Sequence, residues 1–311
     1  MSVGFSPIVR RRRLGTEIRI LREHEKLTLT QLGGLVGWSA AKLSRLENAR
    51  IRPDVGDVMD VLDALGVTGS RREQLIALAR DASNSRGWWN AYDGEIDRRQ
   101  LSFAEFENGA VQIREFQLTH IPGLLQTRAY AAARFASRPA VGLPPINIDA
   151  ATETRIARQA ILTSDTPPRY EALFEESALV RRCGPPDLRA DQFDQLLEAA
   201  ELPNVTLRVL PYNAHIDGCY IPSCSFSLYR FADPVDPEIA VLEMETSDLH
   251  LGDKEDVDRY KLIFDHLWAA ALSPDETAGL LEACRDDPDE APRARPTGPR
   301  QHRRPTAQRT R

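Results

Sequence analysis

Residues 27–48 of the 311-residue chain read LTLTQLGGLVGWSAAKLSRLEN. Thr28 is a favourable N-cap for a short helix beginning at Leu29, because its hydroxyl can accept a hydrogen bond from a backbone amide of the first turn. Gly37 permits a tight turn, and Ser39 caps a second helix, AAKLSRLEN. Two helices joined by about three residues around a glycine are typical of a helix-turn-helix unit.

The flanking sequence predicts three more helices around this unit. Before it, Leu14, Ile18 and Leu21 recur with the spacing of one buried helical face. After it, a fourth helix begins at Asp54 and a fifth follows over RREQLIALARDA. Helices of this number and size form a compact bundle. We therefore expect an all-α helix-turn-helix domain over residues 1–82.

The pattern changes after the aromatic stretch GWWNAYDGE, where we place the domain junction. Strand-like segments alternate with helical ones from about residue 110 onward. The predicted helix 188–201 joins two strands as a parallel crossover, and the later strands, joined by short loops, are expected to be antiparallel. We predict a larger α+β domain over residues 83–284. Prolines and charges fill residues 285–311, which predicts a disordered basic tail.

Charge is distributed unevenly over these three segments. Residues 1–82 carry 14 basic and 10 acidic side chains, residues 83–284 carry 18 and 32, and residues 285–311 carry 8 and 4. The net charge of −6 thus conceals an acidic middle of −14 between two ends of +4 each. Nucleic acid would be repelled by the middle segment and attracted by the ends. The run Arg10 to Arg13 is a candidate for a salt-sensitive DNA contact, and the tail either touches DNA non-specifically or solubilises the chain.

Targeting signals and disulfides are not expected. The chain has no run of about 18 apolar residues, so it predicts no membrane span. Charged residues follow the N-terminal arginines where a signal peptide would be apolar, which favours a cytoplasmic protein. Four cysteines in 311 residues are too few for a disulfide scaffold.

The second helix of the unit has a polar face suited to reading DNA. Ala41, Arg45 and Asn48 share one face, while Leu43 and Leu46 lie on the other. An arginine can bind guanine O6 and N7 with both arms of its guanidinium, small alanines allow approach to thymine methyls, and the remaining polar residues suit phosphates. The alternative is a helical bundle whose charged face is merely solvated. The expected DNA-binding residues are Thr28, Ser39, Ala40, Ala41, Lys42, Ser44, Arg45, Asn48 and Arg50.

The stretch LREHEKLTLTQLGGLVGWSAAKLSRLENARIRPD resembles the phage-repressor-like, xenobiotic-response-element type of helix-turn-helix family. The resemblance implies a structural ion pair between Arg22 and Glu47 that braces the first helix against the recognition helix. Three positions depart from the family pattern. Leu29 stands where a phosphate-binding glutamine is usual, Gly33 replaces the usual alanine, and Ala49 replaces the usual glycine.

The remainder of the chain resembles a domain attached to such modules in actinobacterial regulators. The segments that carry this resemblance are GWWNAYDGE, FENGAVQIREFQLTHIPGLLQT, RIARQAIL, FEESALVRR and NVTLRVLP. The resemblance implies an antitoxin-like transcriptional regulator that acts beside a small partner protein, and it implies no chemistry. Because one recognition helix reads only a half-site of double-stranded DNA, we expect a homodimer. An alternative is an antitoxin that sequesters its partner and binds DNA mainly to regulate itself.

The sequence favours neither metal binding nor catalysis. His215, Cys219 and Cys224 lie within ten residues, but their spacing lacks a paired C-x2-C knuckle and a fourth ligand. The chain has no nucleotide-binding, zinc-protease or serine-hydrolase motif. The acidic pairs Glu175–Glu176 and Glu243–Glu245 are interpreted as solvated or strand-face charges. We therefore expect no enzyme activity, cofactor or metal, with a DNA-tethered enzyme as a third alternative.

One aromatic cluster and one turn complete the candidates. Trp88, Trp89 and Tyr92 could line an effector pocket, but such aromatics more often pack one domain against the next. The segment IPGLLQT at 121–127 is interpreted as a proline–glycine turn with a buried pair of leucines.

Overall fold

The computed structural model describes residues 5–84, 87–92, 98–138, 142, 146–181 and 186–286. Its N-terminal part is a helical bundle around one apolar core, as predicted. Leu14, Ile18, Leu32 and Leu43 are fully buried in that core. The helices are α1 (Pro7–His24), α2 (Leu29–Val36), α3 (Ala40–Glu47), α4 (Val55–Ala64) and α5 (Gly69–Ser83).

Local hydrogen bonds account for the boundaries of α2 and α3. The Thr28 hydroxyl accepts from the Gln31 amide at 3.2 Å, and the Gln31 side chain accepts from the Thr28 amide at 2.9 Å, which completes a capping box. Ser39 Oγ accepts from the Lys42 amide at 3.2 Å. Gly37 ends α2 with a φ of 71°, in the left-handed region that glycine adopts without strain.

Two of the departures from the family pattern, Gly33 and Ala49, can be understood from the structure. Gly33 is required by close packing, whereas Ala49 has a strained backbone conformation. A Cβ atom at Gly33 would lie 2.6 Å from the Trp38 carbonyl oxygen, so α2 and the turn can approach closely only with glycine here. Ala49 follows α3 with a φ of 55°. The Arg50 amide donates to the Arg45 carbonyl across it, closing a Schellman motif. Alanine therefore occupies the left-handed position that normally favours glycine.

The second domain is built on a mixed six-stranded sheet in the order β3-β2-β1-β4-β5-β6. The first three strands are parallel and the last three antiparallel, and the β1–β4 pair is antiparallel. This confirms the parallel pairing of the two strands around the predicted 188–201 helix and the antiparallel later strands. The strands are β1 (Ala110–Gln117), β2 (Arg169–Glu175), β3 (Val205–Leu210), β4 (Phe226–Phe231), β5 (Ile239–Leu242) and β6 (Leu249–Leu251).

Helices cover both faces of this sheet. Phe264 and Leu267 of α11 pack with Phe116 and Phe226 on one face, and a larger cluster with residues from α6, α7, α10 and α12 covers the other. The α+β class is thus confirmed. The helices are α6 (Arg98–Glu107), α7 (Arg128–Ala136), α8 (Ile148–Gln159), α9 (Ser177–Val180), α10 (Pro186–Ala200), α11 (Lys254–Ala270) and α12 (Pro274–Asp286).

Two features were not anticipated in this domain. Helix α6 lies between the junction and the first strand, in a segment for which no element was predicted. Helix α12 continues to Asp286, two residues into the segment predicted as tail, and residues 287–311 lie outside the described residues. No helix in the described ranges is long and apolar enough to cross a membrane.

Helix α1 belongs to both domains. Its first turns join the core of the second domain through the fully buried Val9, while Leu14 and Ile18 lie in the bundle core. Ser6, just before α1, donates to the Glu105 carbonyl of α6 at 2.7 Å. The two domains therefore share a continuous helix.

The run Arg10 to Arg13 is therefore not a free DNA-binding arm, and that interpretation is wrong. Because these arginines lie on the part of α1 that packs on the second domain, their side chains meet its acidic residues and a backbone carbonyl.

Candidate nucleic-acid interface

Helix α3 presents a polar face whose most prominent group is Arg45. Leu43 is fully buried and Leu46 is 3% exposed, and they hold the opposite face against the bundle. Ala41 and Arg45 are exposed. In the part of the chain that the structure describes, the Arg45 guanidinium makes no hydrogen bond or ion pair. It is therefore available to bind a ligand outside the chain.

Two of the expected phosphate contacts, Lys42 and Asn48, are already engaged within the protein. Lys42 Nζ lies 2.8 Å from an Asp57 carboxylate oxygen and 3.7 Å from the centre of the Trp38 ring. Asn48 Nδ2 donates to the Ser44 carbonyl at 2.7 Å, and its oxygen accepts from Arg19 at 3.0 Å. These side chains must exchange a partner in order to reach DNA.

The segment after α3 supplies exposed cations. Arg50 and Arg52 are both exposed, and neither makes a hydrogen bond or ion pair through its guanidinium with a described residue. Arg52 was not among the expected site residues. Its position next to Arg50 in a loop after the recognition helix was the available signal. Thr28 and Ser39 act as N-caps, so their hydroxyl groups already accept backbone hydrogen bonds.

A buried ion pair braces α3 against α1. Arg22 Nε lies 2.6 Å and Nη2 lies 2.9 Å from the two carboxylate oxygens of Glu47. Arg22 Nη1 also donates to the Leu27 carbonyl at 2.9 Å. The hydrogen bonds to Glu47 raise the pKa of Arg22 despite its burial. Such a two-pronged pair fixes the orientation of the helix as well as its position.

Two further contacts hold the C-terminal end of α3 on α1. The Arg19 guanidinium donates to the Glu47 carbonyl at 3.3 Å, placing a positive charge at the negative end of the helix dipole. A Cβ atom at Gly15 would lie only 2.4 Å from the same carbonyl oxygen. The close approach of the two helices therefore requires glycine at this position. Sequence patterning did not single out Gly15.

Helix α1 is also tied to the second domain, by a network of ion pairs. Arg10 and Arg13 each lie 3.0 Å from one Asp233 oxygen, and 3.2 and 3.1 Å from oxygens of Asp236. Burial raises the pKa of Asp236. The hydrogen bond from the Val235 amide has the largest effect on Asp233 and lowers its pKa, and the positive charges of Arg10 and Arg13 lower it further.

A second link joins α1 to α6. Arg11 Nη2 lies 2.7 and 2.6 Å from the two Glu105 oxygens. Helix α1 thus connects acidic residues of the second domain to the base of the recognition helix.

The remaining candidates have structural explanations or lie apart from this face. Trp89 is buried and packs edge-to-face with Trp88, at 5.9 Å between ring centres. Leu124 and Leu125 are buried, as predicted for the IPGLLQT turn. Among the described residues, no group of three His, Cys, Asp or Glu side chains is placed to hold a metal ion.

The acidic pairs interpreted as solvated or strand-face charges are partly buried. Glu176 is 2% exposed and accepts from the Tyr212 amide at 2.9 Å. Glu243 accepts from Gln117 at 2.5 Å and lines a cavity. Of the two interpretations, solvated or strand-face charge, the solvated one is wrong for these residues. Glu176 directly follows β2, Glu243 directly follows β5, and both accept hydrogen bonds within the protein.

Comparison with known protein families agrees with the two domains. A helix-turn-helix domain matches residues 13–75, and a domain of unknown function (DUF5753) matches residues 100–283. Neither a curated protein nor a solved structure matches the chain significantly. The second match covers more than half of the chain, so this protein belongs to the DUF5753 family and carries an N-terminal helix-turn-helix domain.

Proposed function

We propose that this protein is a sequence-specific transcriptional regulator that places α3 in the major groove of double-stranded DNA. The observation that carries the proposal is the exposed Arg45 guanidinium, which has no partner among the described residues and lies opposite the buried Leu43 and Leu46. An unpaired arginine on a rigidly braced helix suits the two acceptors of a guanine edge. Arg50 and Arg52 would contact phosphates and set the register.

The proposal includes a homodimer and assigns no catalytic activity, cofactor or metal to the chain. A single recognition helix reads one half-site, and two helices separated by one turn of DNA read a palindrome. The protein would act in the cytoplasm, where its DNA is accessible. Thr28, Ser39, Ala40, Ala41, Lys42, Ser44 and Asn48 remain proposed DNA contacts, through backbone amides or after exchange of their present partners.

Regulation is proposed to pass through α1. The helix is held by Asp233 and Asp236 at one end and holds Glu47 of α3 near the other. A change in the second domain that moves α1 would therefore tilt the recognition helix. This route supports control of DNA binding by the second domain.

DNA selection from a random duplex library tests the proposal. The wild-type protein should enrich one sequence with two related half-sites about 10 base pairs apart, as expected for a dimer. Arg45→Ala should lose the enrichment while retaining its fold. Arg80→Ala is the matched control, because Arg80 is also exposed in the bundle and its guanidinium has no partner among the described residues. No enrichment by the wild-type protein would contradict the proposal.

A second candidate function is an antitoxin that sequesters a small partner protein. The net charge of −14 over residues 83–284 favours it, because an acidic surface attracts a basic partner. Here DNA binding would serve mainly to regulate the protein's own gene. Affinity purification of the full chain from its native host separates the two candidates. A stoichiometric small basic protein encoded beside this gene supports sequestration, and isolation of the homodimer alone supports direct regulation.

A further inference from the structure

A polar cavity lies inside the second domain, between the sheet and helices α6, α7 and α8. Its volume is about 130 Å³, and β1 and β4 contribute to its floor. A space of this size can hold on the order of ten water-sized groups, which suits a small metabolite. Five arginines line it: Arg99, Arg134, Arg138, Arg155 and Arg158.

The charge of this lining is opposite to that of its domain. The five arginines face three glutamates, Glu107, Glu115 and Glu243, and Arg99 also pairs with Asp248 at 2.9 Å, so the formal charge of these groups together is +1. Residues 83–284 as a whole carry −14. A cluster of positive charge inside an acidic domain costs stability unless an anion compensates it. The cavity therefore has the electrostatic character of an anion site.

Two neighbouring arginines of α8 differ sharply in their partners. Arg158 lies 2.8 and 2.5 Å from the Glu107 oxygens and 2.7 Å from the Gln100 oxygen, so its charge is matched. Arg155 Nε is buried and has no hydrogen-bond partner. Among the described residues, the Arg155 guanidinium forms no ion pair either, and its Cζ atom lies 5.4 Å from the centre of the Phe135 ring. Arg155 is thus desolvated without a hydrogen-bonded or ion-paired partner among the described residues.

The turn at Gly123 is shaped to admit this guanidinium. A Cβ atom at Gly123 would lie 2.3 Å from Arg155 Nη1. Gln159 holds the turn in place by donating to the Gly123 carbonyl at 3.3 Å and to the Gln126 carbonyl at 2.6 Å. The IPGLLQT segment therefore forms one wall of the site and positions Arg155.

We propose that this cavity binds a small organic anion, a carboxylate- or phosphate-bearing metabolite, whose oxyanion rests on the guanidinium of Arg155. The two-pronged geometry of a guanidinium matches both carboxylate and phosphate oxygens. Burial has the largest effect on the pKa of Arg155, and together with the positive charges of Arg158 and Arg134 it lowers this pKa to about 9. Arg155 is still charged at neutral pH. At the floor, Glu115 accepts from Tyr170 at 2.6 Å and Gln117 at 2.9 Å. This carboxyl group and Glu243 suit donor groups at the other end of the ligand.

The cavity is connected to α1 through one helix. Phe103 and Glu107 of α6 line the cavity, and Glu105 of the same helix pairs with Arg11 of α1. Ligand binding that shifts α6 would reach α1 and then α3. This regulatory role rests on the proposed function, whereas the binding site does not.

Calorimetric titration of the full-length protein tests the site. The probes are sodium succinate and sodium phosphate, and sodium chloride at equal ionic strength is the reference. We expect saturable binding of at least one probe with one site per chain. Arg155→Gln should weaken it by about tenfold or more, because it removes a charge-assisted contact. Gly123→Ala should also weaken binding, because its methyl group displaces the Arg155 guanidinium.

Two controls separate this site from other cations of the protein. Arg45→Gln removes an exposed cation of the bundle, and Arg128→Gln removes one of the surface pair Arg128–Glu153. Both should bind the probe as the wild type does. Thermal unfolding of each variant verifies its fold, and Arg155→Gln without ligand should be at least as stable as the wild type. The proposal is overturned if neither probe binds the wild type above the chloride reference, or if Arg155→Gln binds with wild-type affinity.

DNA affinity measured with and without the bound probe then tests the regulatory role separately. A change of DNA affinity that disappears in Arg155→Gln supports it. Unchanged DNA affinity with intact probe binding would reject the regulatory role while leaving the site itself standing. Loss of DNA binding by the wild-type protein in all conditions would instead reject the proposed function.

Discussion

Replacing Arg22 by methionine leaves the Glu47 carboxylate buried beneath the recognition helix without its main partner. Glu47 is 4% exposed, and its next cation, Arg19, approaches only to 3.7 Å. Removing one member of a buried ion pair typically costs about 3–5 kcal/mol, because the other charge stays desolvated. Arg22→Met and Glu47→Met should each lower the stability of the bundle by an amount in this range.

The double variant distinguishes a true pair from two independent residues. Arg22→Met combined with Glu47→Met leaves no buried charge, so its loss should be smaller than the sum of the single losses by about 2 kcal/mol. Hydrogen exchange of the full chain, followed in peptides of α3, measures the local opening free energy. Arg72→Met is the matched control, since it breaks the surface pair with Asp63 and should cost about 1 kcal/mol or less. Additive losses in the double variant would refute the reasoning.

Further expectations concern backbone strain and a buried carboxyl group. Ala49→Gly should raise the free energy of unfolding of the bundle by about 0.5–1 kcal/mol in urea denaturation, because glycine adopts the observed φ of 55° without strain. Gly15→Ala should lower it by about 1–3 kcal/mol and weaken DNA binding in a gel shift, because its Cβ atom meets the Glu47 carbonyl. Its control is Gly34→Ala in α2, where a Cβ atom would meet nothing within 4 Å and a stability gain is expected instead. Burial, followed by the charge of Glu243, raises the pKa of Glu115 from 4.5 to about 7. Below about pH 4.5 the proton on Glu115 makes its full contribution to the free energy of unfolding. This contribution, at most about 3 kcal/mol, is lost as the pH rises through 7. The difference in unfolding free energy between Glu115→Gln and the wild type should therefore grow in favour of the variant from pH 5 to pH 8, and a constant difference would contradict the assignment.

Local chemistry made the helix-turn-helix unit predictable from the sequence. Thr28, Gly37 and Ser39 act on residues within one turn of themselves, so their roles follow from spacing alone. The Arg22–Glu47 pair joins residues 25 positions apart. It was expected only through the family resemblance, because periodicity does not reveal which charges on two helices meet.

Long-range contacts explain what the sequence left undetermined. Arg10 and Arg13 were interpreted as DNA ligands because their acidic partners lie more than 200 residues away in the chain. Arg155 stands in a helix with many polar residues, a pattern typical of a solvated face. Its cavity exists only after the turn at Gly123 folds over α8. The error for Arg10 and Arg13 and the omission of Arg155 have one origin: a charged residue shows its sign in the sequence, but its surroundings are supplied by the tertiary fold.

The central claim is that the exposed face of α3 reads bases through Arg45. The most direct measurement is the ratio of affinities for the selected duplex and a scrambled duplex, determined for the wild type and Arg45→Ala at one salt concentration. Loss of a bidentate guanine contact removes about 1–3 kcal/mol of discrimination, so the ratio should fall by roughly 5- to 150-fold, with little change in affinity for the scrambled duplex. A variant that keeps the wild-type ratio would show that another surface of the protein recognises the sequence.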